Sequence, residues 1–204
     1  MAILRTPCAP RTEMIEVLPT LYVARHGETD RSLSGQHTGL TDLPLTKLGE
    51  VNARRLGNAL RGHHFAKVLT SPLQRARRTC ELADFGDEAE VDPDLVEWNY
   101  GEYEGLRTEE INAKRPDREL FREGCPGGES AEDIAVRVAR VRRLQQDVLV
   151  FSSRHFLRVL AARWLRLPAR AGEYFLLSTA SLSLLLYEHN LNHLWSSCGM
   201  TYIT

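Results

Sequence analysis

The chain has 204 residues, of which 43% are hydrophobic, a length and composition that suit one well-buried domain and are short for two. Lysine and arginine total 26 against 27 acidic residues, so no overall basic field points to nucleic acid or to an anionic membrane. Any anion-binding site must therefore be local.

The N-terminal segment 1–19 is interrupted by proline and charged residues and contains no apolar signal-peptide core. The longest apolar runs, such as 181–187, have the length of a strand and fall far below the roughly 18 residues that a transmembrane helix needs. We therefore predict a flexible leader over 1–19, a single domain over 20–204, and a cytoplasmic protein with no membrane partner.

The first apolar run, Leu21–Ala24, predicts a strand that stops at Arg25, His26 and Gly27. Ligands of open α/β sheets bind beyond the carboxyl ends of the strands, so His26 would lie in a cleft with a guanidinium beside it. Gly27 would let backbone N–H groups approach an anion without a Cβ in the way. The tripeptide alone is ambiguous, because a histidine after a strand is often only a structural residue.

A helix is predicted over 45–60, where apolar residues recur at helical spacing after Thr46. A second strand at Val68 and Leu69 then leads to a helix whose first turn would hold Pro72. Arg75 would lie near the N-terminus of that helix, which attracts anions. The alternative is that Arg75 and its neighbouring arginines form a solvated helix face.

A loop-like run of carboxylates, aromatic residues and glycines follows at 97–105. Aromatic cover favours the protonated form of a carboxyl group, as a general acid requires, and makes Glu97 a candidate. Between 100 and 128 the chain becomes charged and is interrupted by Gly and Pro, which predicts a lid-like insertion over the strand ends. Its basic residues either contact a second phosphate or carboxylate of a ligand or are plain surface charge: Arg107, Lys114, Arg118 and Arg122.

The remaining elements are a helix over 131–144, a strand over 147–151 and a helix over 155–167. Together the elements predict an α/β fold, with a mostly parallel central sheet that has helices on both faces. Four separate segments would converge on a site at the carboxyl edge of that sheet.

The cysteines form no C-x-x-C pair and no His/Cys cluster at metal-ligand spacing, and we interpret them as isolated reduced thiols: Cys8, Cys80, Cys125 and Cys198. A metal site would need more convergent ligands than this sequence offers. We therefore predict no bound metal.

Three motifs, Leu21–Thr29, Leu69–Thr79 and Glu97–Gly105, resemble the histidine phosphatase superfamily of phosphoglycerate mutase-like enzymes in order and spacing. The resemblance extends from about Leu21 to about His189 and includes the runs 127–130 and 179–183. The run Gly35–Thr46 looks most like the branch of small phosphatases that includes sugar bisphosphatases.

This resemblance implies hydrolysis of a small phosphorylated metabolite through a phosphohistidine, without cofactor or metal. His26 would be the nucleophile, and Arg25 and Arg75 would bind the phosphoryl oxygens. Glu97 would protonate the leaving alkoxide and then take a proton from water.

The same alignment suggests further ligand contacts. Ser32 and Thr38 match positions that donate hydrogen bonds to phosphate in the family. Five other residues are candidates for substrate binding: Gln36, His37, Tyr100, Arg154 and His155. The sequence does not determine the oligomeric state, and a homodimer is one candidate.

One position departs from the family pattern. Relatives carry a second histidine in a run like Ser-His-Gly-His, and the matching run here is Ser-Ser-Arg-His. Ser153 stands in place of that histidine, and Arg154 stands in place of the glycine. A serine hydroxyl can donate to a phosphate oxygen, but it brings no positive charge. The alternatives are therefore a phosphatase, a family member that binds ligands with weakened catalysis, and a mutase, against which the short chain argues.

Overall fold

A computed structural model of the chain describes residues 19–141, 146–188 and 191–197. The strands within them are β1 (Leu21–Arg25), β2 (Lys67–Thr70), β3 (Ala89–Val91), β4 (Val148–Ser152), β5 (Leu182–Glu188) and β6 (Leu191–Ser197). They form one sheet in the order β3-β2-β4-β1-β5-β6. The pairs from β3 to β1 are parallel, and β5 and β6 join antiparallel. The predicted mostly parallel sheet is confirmed.

The helices of the described ranges are α1 (Asp30–Ser34), α2 (Lys47–Leu60), α3 (Gln74–Leu82), α4 (Thr108–Lys114), α5 (Leu120–Glu123), α6 (Ala131–Val141) and α7 (Arg154–Trp164). Short 3-10 turns lie at Pro93–Leu95, Gly101–Tyr103 and Ala169–Tyr174. None of these helices is long and apolar enough to cross a membrane.

The central strand β4 shows why helices cover both faces. Its five residues are all buried, and successive side chains point to opposite faces. Val148 and Val150 belong to the hydrophobic cluster that contains α6 and α7, whereas Leu149 and Phe151 belong to the cluster that contains α2 and α3. The predicted placement of helices on both faces is confirmed.

The start of α2 follows a local cap, whereas the start of α3 follows a contact with a distant loop. Thr46 caps α2 by accepting a hydrogen bond from the Gly49 N–H at 3.0 Å, as its sequence predicts. The placement of Pro72 in the first turn of α3 is wrong, because α3 begins at Gln74. The Gln74 N–H donates to Asp42 Oδ1 at 2.7 Å, so a carboxylate from a distant loop caps this helix.

The helix predicted over 155–167 ends earlier, at Trp164. Arg166 has a φ of +62°, which is not a helical conformation, and Pro168 two residues later has no N–H to continue the helix. Residues 142–144 of the predicted preceding helix lie outside the described residues, as do Cys8, Cys198, His189 and all of the predicted leader except Pro19. Cys80 and Cys125 are buried free thiols.

The segment predicted as an insertion, 100–128, contains α4 and α5. Ile111 of α4 and Phe121 of α5 are buried in the cluster that also contains α6 and α7. This burial holds the segment against the core, and Tyr100 and Thr108 reach the cavity described below. Its assignment as a lid within a single domain stays a prediction.

Candidate active site

A cavity of about 550 Å³, measured to include its open mouth, lies beyond the carboxyl ends of β1 and β4. Eleven of the residues that sequence reasoning selected line it: Arg25, His26, Ser32, Gln36, His37, Thr38, Arg75, Glu97, Tyr100, Arg154 and His155. Ser153 is not among the lining residues. Four lining residues were not predicted: Thr29, Arg31, Gly35 and Thr108.

The His26 ring has a defined tautomer. Its Nδ1 lies 2.7 Å from the Gly27 carbonyl oxygen, and because a carbonyl can only accept, Nδ1 carries the proton. Burial, and then the charges of Arg25 and Arg75, hold the pKa of His26 well below its usual value. The ring is therefore neutral at pH 7, with the lone pair of Nε2 available.

Gly27 has a different function from the one its sequence suggests. Its N–H donates to Thr79 Oγ1 at 2.9 Å, so this group is not presented to an anion. A Cβ at Gly27 would lie 2.6 Å from the Gly49 carbonyl oxygen. The glycine therefore permits close contact between the His26 loop and the start of α2.

Two arginines flank His26. Arg75 is 1% exposed and donates to the carbonyl oxygens of Thr41 at 2.9 Å and Gly39 at 2.8 Å. Arg25 Nη1 donates to the Leu177 carbonyl oxygen at 2.5 Å, and its buried Nε has no hydrogen-bond partner. Burial, followed by the charge of Arg154, lowers the pKa of Arg25 to about 10, and the guanidinium stays charged at neutral pH. An unpartnered, charged donor of this kind can bind an anion.

The hydroxyl groups of Ser32 and Thr38 are already engaged. Ser32 Oγ donates to the Thr29 carbonyl oxygen at 2.9 Å and accepts from the Thr29 N–H at 2.9 Å, in a capping box at the start of α1. Thr38 Oγ1 donates to the Gln36 carbonyl oxygen at 3.3 Å. Each hydroxyl would have to rotate away from its partner to reach a phosphate oxygen.

Glu97 is buried and its carboxylate is held by backbone groups. Oε1 accepts from the N–H groups of Trp98 at 2.8 Å and Phe156 at 2.9 Å, and Oε2 accepts from the His155 N–H at 3.0 Å. The carboxylate therefore satisfies the first N–H groups of α7 as well as lining the cavity. Each oxygen has two acceptor positions, so Oε2 keeps one that is free.

Ser153 and Arg154, the positions that depart from the family pattern, point in different directions. Ser153 is fully buried, and its Oγ lies 3.4 Å from Arg75 Nε. It therefore stands behind Arg75 and supports that guanidinium, which differs from the direct contact with phosphate that we predict from sequence. Arg154, the first residue of α7, is exposed and lines the cavity.

Three rings form one end of the cavity. His37 stacks on Tyr100 with ring centroids 4.9 Å apart, and the Tyr100 hydroxyl makes a short contact with His155 Nδ1. Burial holds the pKa of His155 well below its usual value and that of Tyr100 well above, so both rings are neutral at pH 7. This end can pack against a ligand and exchange hydrogen bonds with it.

The lining residues that were not predicted differ in whether a pattern in the sequence could have identified them. Thr29 could be found from the capping box with Ser32. Arg31 pairs with Glu104 at 3.2 Å, across 73 positions of the sequence, and no local pattern predicts that contact. In the part of the chain that the structure describes, no three His, Cys, Asp or Glu side chains are grouped to hold a metal ion.

Comparisons with known proteins show the family of this chain. The sequence model of the histidine phosphatase superfamily (branch 1) matches residues 21–196. The acid phosphatase of Mycobacterium tuberculosis is 38% identical over 182 residues, which are 85% of this chain and 89% of that protein. The sedoheptulose 1,7-bisphosphatase of Saccharomyces cerevisiae is 38% identical over 187 residues, 74% of this chain and 69% of that protein.

Solved structures show the same likeness. The structure of an open reading frame product of Mycobacterium tuberculosis superposes with a TM-score of 0.83 at 36% identity, covering 90% of this chain and 98% of that one. Phosphoglycerate mutases are also similar, as in Gloeobacter violaceus, at 37% identity over 131 residues, 59% of this chain and 60% of that protein.

Proposed function

Because the chain belongs to branch 1 of the histidine phosphatase superfamily, we propose that it hydrolyses small phosphate monoesters, sugar phosphates included, through a phosphohistidine on His26. The observation that carries the proposal is the His26 ring, with Nδ1 donating to the Gly27 carbonyl and Nε2 free beside two guanidinium groups. A neutral imidazole in this state is a nucleophile. The similarity to an acid phosphatase and a sugar bisphosphatase supports the substrate class.

In the first step, His26 Nε2 attacks phosphorus and the P–O bond to the leaving group breaks. Protonated Glu97 gives its proton to the departing alkoxide from Oε2, the oxygen with a free acceptor position. Arg25 and Arg75 stabilise the negative charge on the other phosphoryl oxygens. The unpartnered Nε of Arg25 is the donor that such an oxygen would satisfy.

In the second step, a water molecule attacks phosphorus and the P–N bond breaks, which returns the lone pair to His26 Nε2. Glu97 accepts the proton that the water loses, so the carboxyl group ends protonated, as it began. Inorganic phosphate then leaves, and no other residue changes its protonation state over the cycle.

Acid-quenched labelling tests this mechanism. Brief mixing with a ³²P-labelled phosphate ester should trap an acid-labile, base-stable phosphoenzyme, which His26→Ala should lack. His64→Ala removes an exposed histidine outside the cavity and is the matched control. Turnover of a phosphate-ester panel by His26→Ala at the parent rate would refute the mechanism.

A second candidate function is favoured by Ser153. The residue is fully buried and uncharged where the family pattern has histidine, which suits a protein that binds phosphorylated ligands and has weak catalysis. Such a protein would bind inorganic phosphate in calorimetry, and its turnover would not exceed that of His26→Ala. A parent rate far above that of His26→Ala would exclude this candidate.

A further inference from the structure

Arg154 places a guanidinium at the start of α7. Among the described residues it has no hydrogen bond or ion pair, although its side chain lines the cavity. The other arginines of the cavity are engaged, since Arg31 pairs with Glu104 and both Arg25 and Arg75 donate to backbone carbonyls. The guanidinium of Arg154 is therefore the one most available to a ligand.

The electrostatic neighbours of Arg154 locate it in the cavity. The charges that act on His26 are those of Arg25 and Arg75. The charge of Arg154 lowers the pKa of His37 and of His155, the rings at the other end. The charge of Arg154 also lowers the pKa of Arg25, so Arg154 lies near both Arg25 and the end formed by His37, Tyr100 and His155, and it is not among the charges that shift the pKa of His26.

The charges of the cavity do not balance around one phosphoryl group. Four arginines and one glutamate line it, and the glutamate, Glu97, is held by three backbone N–H groups. A phosphoryl group carries about two negative charges, which Arg25 and Arg75 match. Arg31 has Glu104 as its counter-charge, whereas Arg154 has no ion pair within the described ranges.

The cavity is open at its mouth, so a ligand can extend beyond the phosphoryl group. About 100 Å³ of it is comparable to an enclosed cavity, and the larger volume of about 550 Å³ includes space open to solvent. A ligand with its phosphoryl group at His26 would extend toward the ring end, where Arg154 lies.

We propose that Arg154 forms a second anion subsite, which binds a phosphate or carboxylate group carried by the substrate. The proposal rests on the proposed function and narrows it, because the preferred substrates become small phosphate esters with two anionic groups. A guanidinium binds either group through paired, charge-assisted hydrogen bonds. Arg154 is thus a specificity-determining residue of this chain.

Matched substrate pairs test the subsite. Fructose 1,6-bisphosphate is compared with fructose 1-phosphate and fructose 6-phosphate, and 3-phosphoglycerate is compared with glycerol 3-phosphate. In Arg154→Gln, kcat/KM should fall at least tenfold more for the doubly anionic member than for its matched partner. Arg154→Lys should keep most of the preference. Arg163→Gln, which removes one charge from α7 outside the cavity, should keep all of it.

The pattern of losses identifies the second group. A loss confined to the bisphosphate assigns a phosphate, and a loss confined to 3-phosphoglycerate assigns a carboxylate. Equal losses within each pair would mean that Arg154 contacts the transferred phosphoryl group, and that outcome overturns the proposal. An unchanged preference in Arg154→Gln overturns it as well.

Calorimetry separates this proposal from the phosphatase mechanism. In a His26→Ala background, fructose 1,6-bisphosphate should bind more tightly than either monophosphate, and adding Arg154→Gln should remove at least tenfold of that preference. This result requires no turnover, so it stands even if labelling refutes the phosphohistidine. Equal affinities for the three sugars before the Arg154 change, together with equal affinities for 3-phosphoglycerate and glycerol 3-phosphate, would overturn the subsite.

Discussion

Glutamine at position 97 separates the chemical and structural contributions of one carboxyl group. Glu97→Gln keeps the size of the side chain but removes one acceptor oxygen and the ability to give and take a proton. The native oxygens accept the N–H groups of Trp98, His155 and Phe156 at 2.8 to 3.0 Å. An amide nitrogen would face at least one of these donors with a donor of its own.

The magnitude follows from these contacts. A hydrogen bond to a charged group contributes about 1.5–3 kcal/mol, so losing one should lower the free energy of unfolding by about that amount. For a chain of this size the corresponding fall in Tm is about 2–4 °C per kcal/mol, or about 3–12 °C in total. Loss of general acid and base catalysis should reduce kcat/KM for alkyl phosphates by about 10²-fold or more.

The assay compares two leaving groups. Glycerol 3-phosphate needs a proton on its departing alkoxide, whereas p-nitrophenolate leaves without one, so kcat/KM for p-nitrophenyl phosphate should fall by less than about tenfold. Thermal unfolding is followed by circular dichroism on the same samples. The control is Glu129→Gln, because the Glu129 carboxylate accepts the Asn99 N–H at 2.8 Å and pairs with Arg137 at 3.0 Å outside the cavity.

Glu129→Gln should lose stability while changing both activities by the same factor. If Glu97→Gln also changes both activities by the same factor, Glu97 is only a cap for α7 and the proposed proton transfer is refuted.

Three further predictions concern positions around the nucleophile. Because Ser153 stands behind Arg75 and does not line the cavity, Ser153→His should not raise kcat for p-nitrophenyl phosphate; a gain of about tenfold or more, as a charge-assisted donor worth about 1.5–3 kcal/mol would give, would show that an imidazole at this position reaches the phosphoryl group. A gain seen only with Arg154→Gly added would mean that Arg154 obstructs the ring, and no gain in either variant would mean that the site is adapted to Ser153. The pKa of His26 in the folded protein lies below its unfolded value of about 6.5, so the unfolded chain binds more protons than the folded chain below that pH. Tm should therefore fall from pH 7 to pH 5. The fall should be smaller in His26→Ala. Equal slopes in the two proteins would contradict this linkage. Gly27→Ala should lower the free energy of unfolding by about 1–3 kcal/mol, because its Cβ would lie 2.6 Å from the Gly49 carbonyl oxygen. Urea unfolding measures this free energy. A change of less than about 0.5 kcal/mol, which is typical of exposed positions, would contradict the contact.

The local sequence determined the elements and the faces they bury. The alternation along Val148–Phe151 is a property of the extended chain itself, because successive side chains point to opposite sides. The motif around His26 likewise ends a strand, and the carboxyl ends of parallel strands meet at one edge. For these reasons the family, the sheet and the segments that form the cavity could be recognised before the structure was known.

The tertiary structure decided which hydrogen bonds and contacts those residues make. The Gly27 N–H binds Thr79, the Glu97 carboxylate binds the start of α7, and Ser153 stands behind Arg75 while Arg154 enters the cavity. The three hydrogen bonds join residues that lie 52 to 78 positions from each other in the sequence. Such contacts depend on how whole elements pack together, and a local pattern of residue types carries no record of that packing.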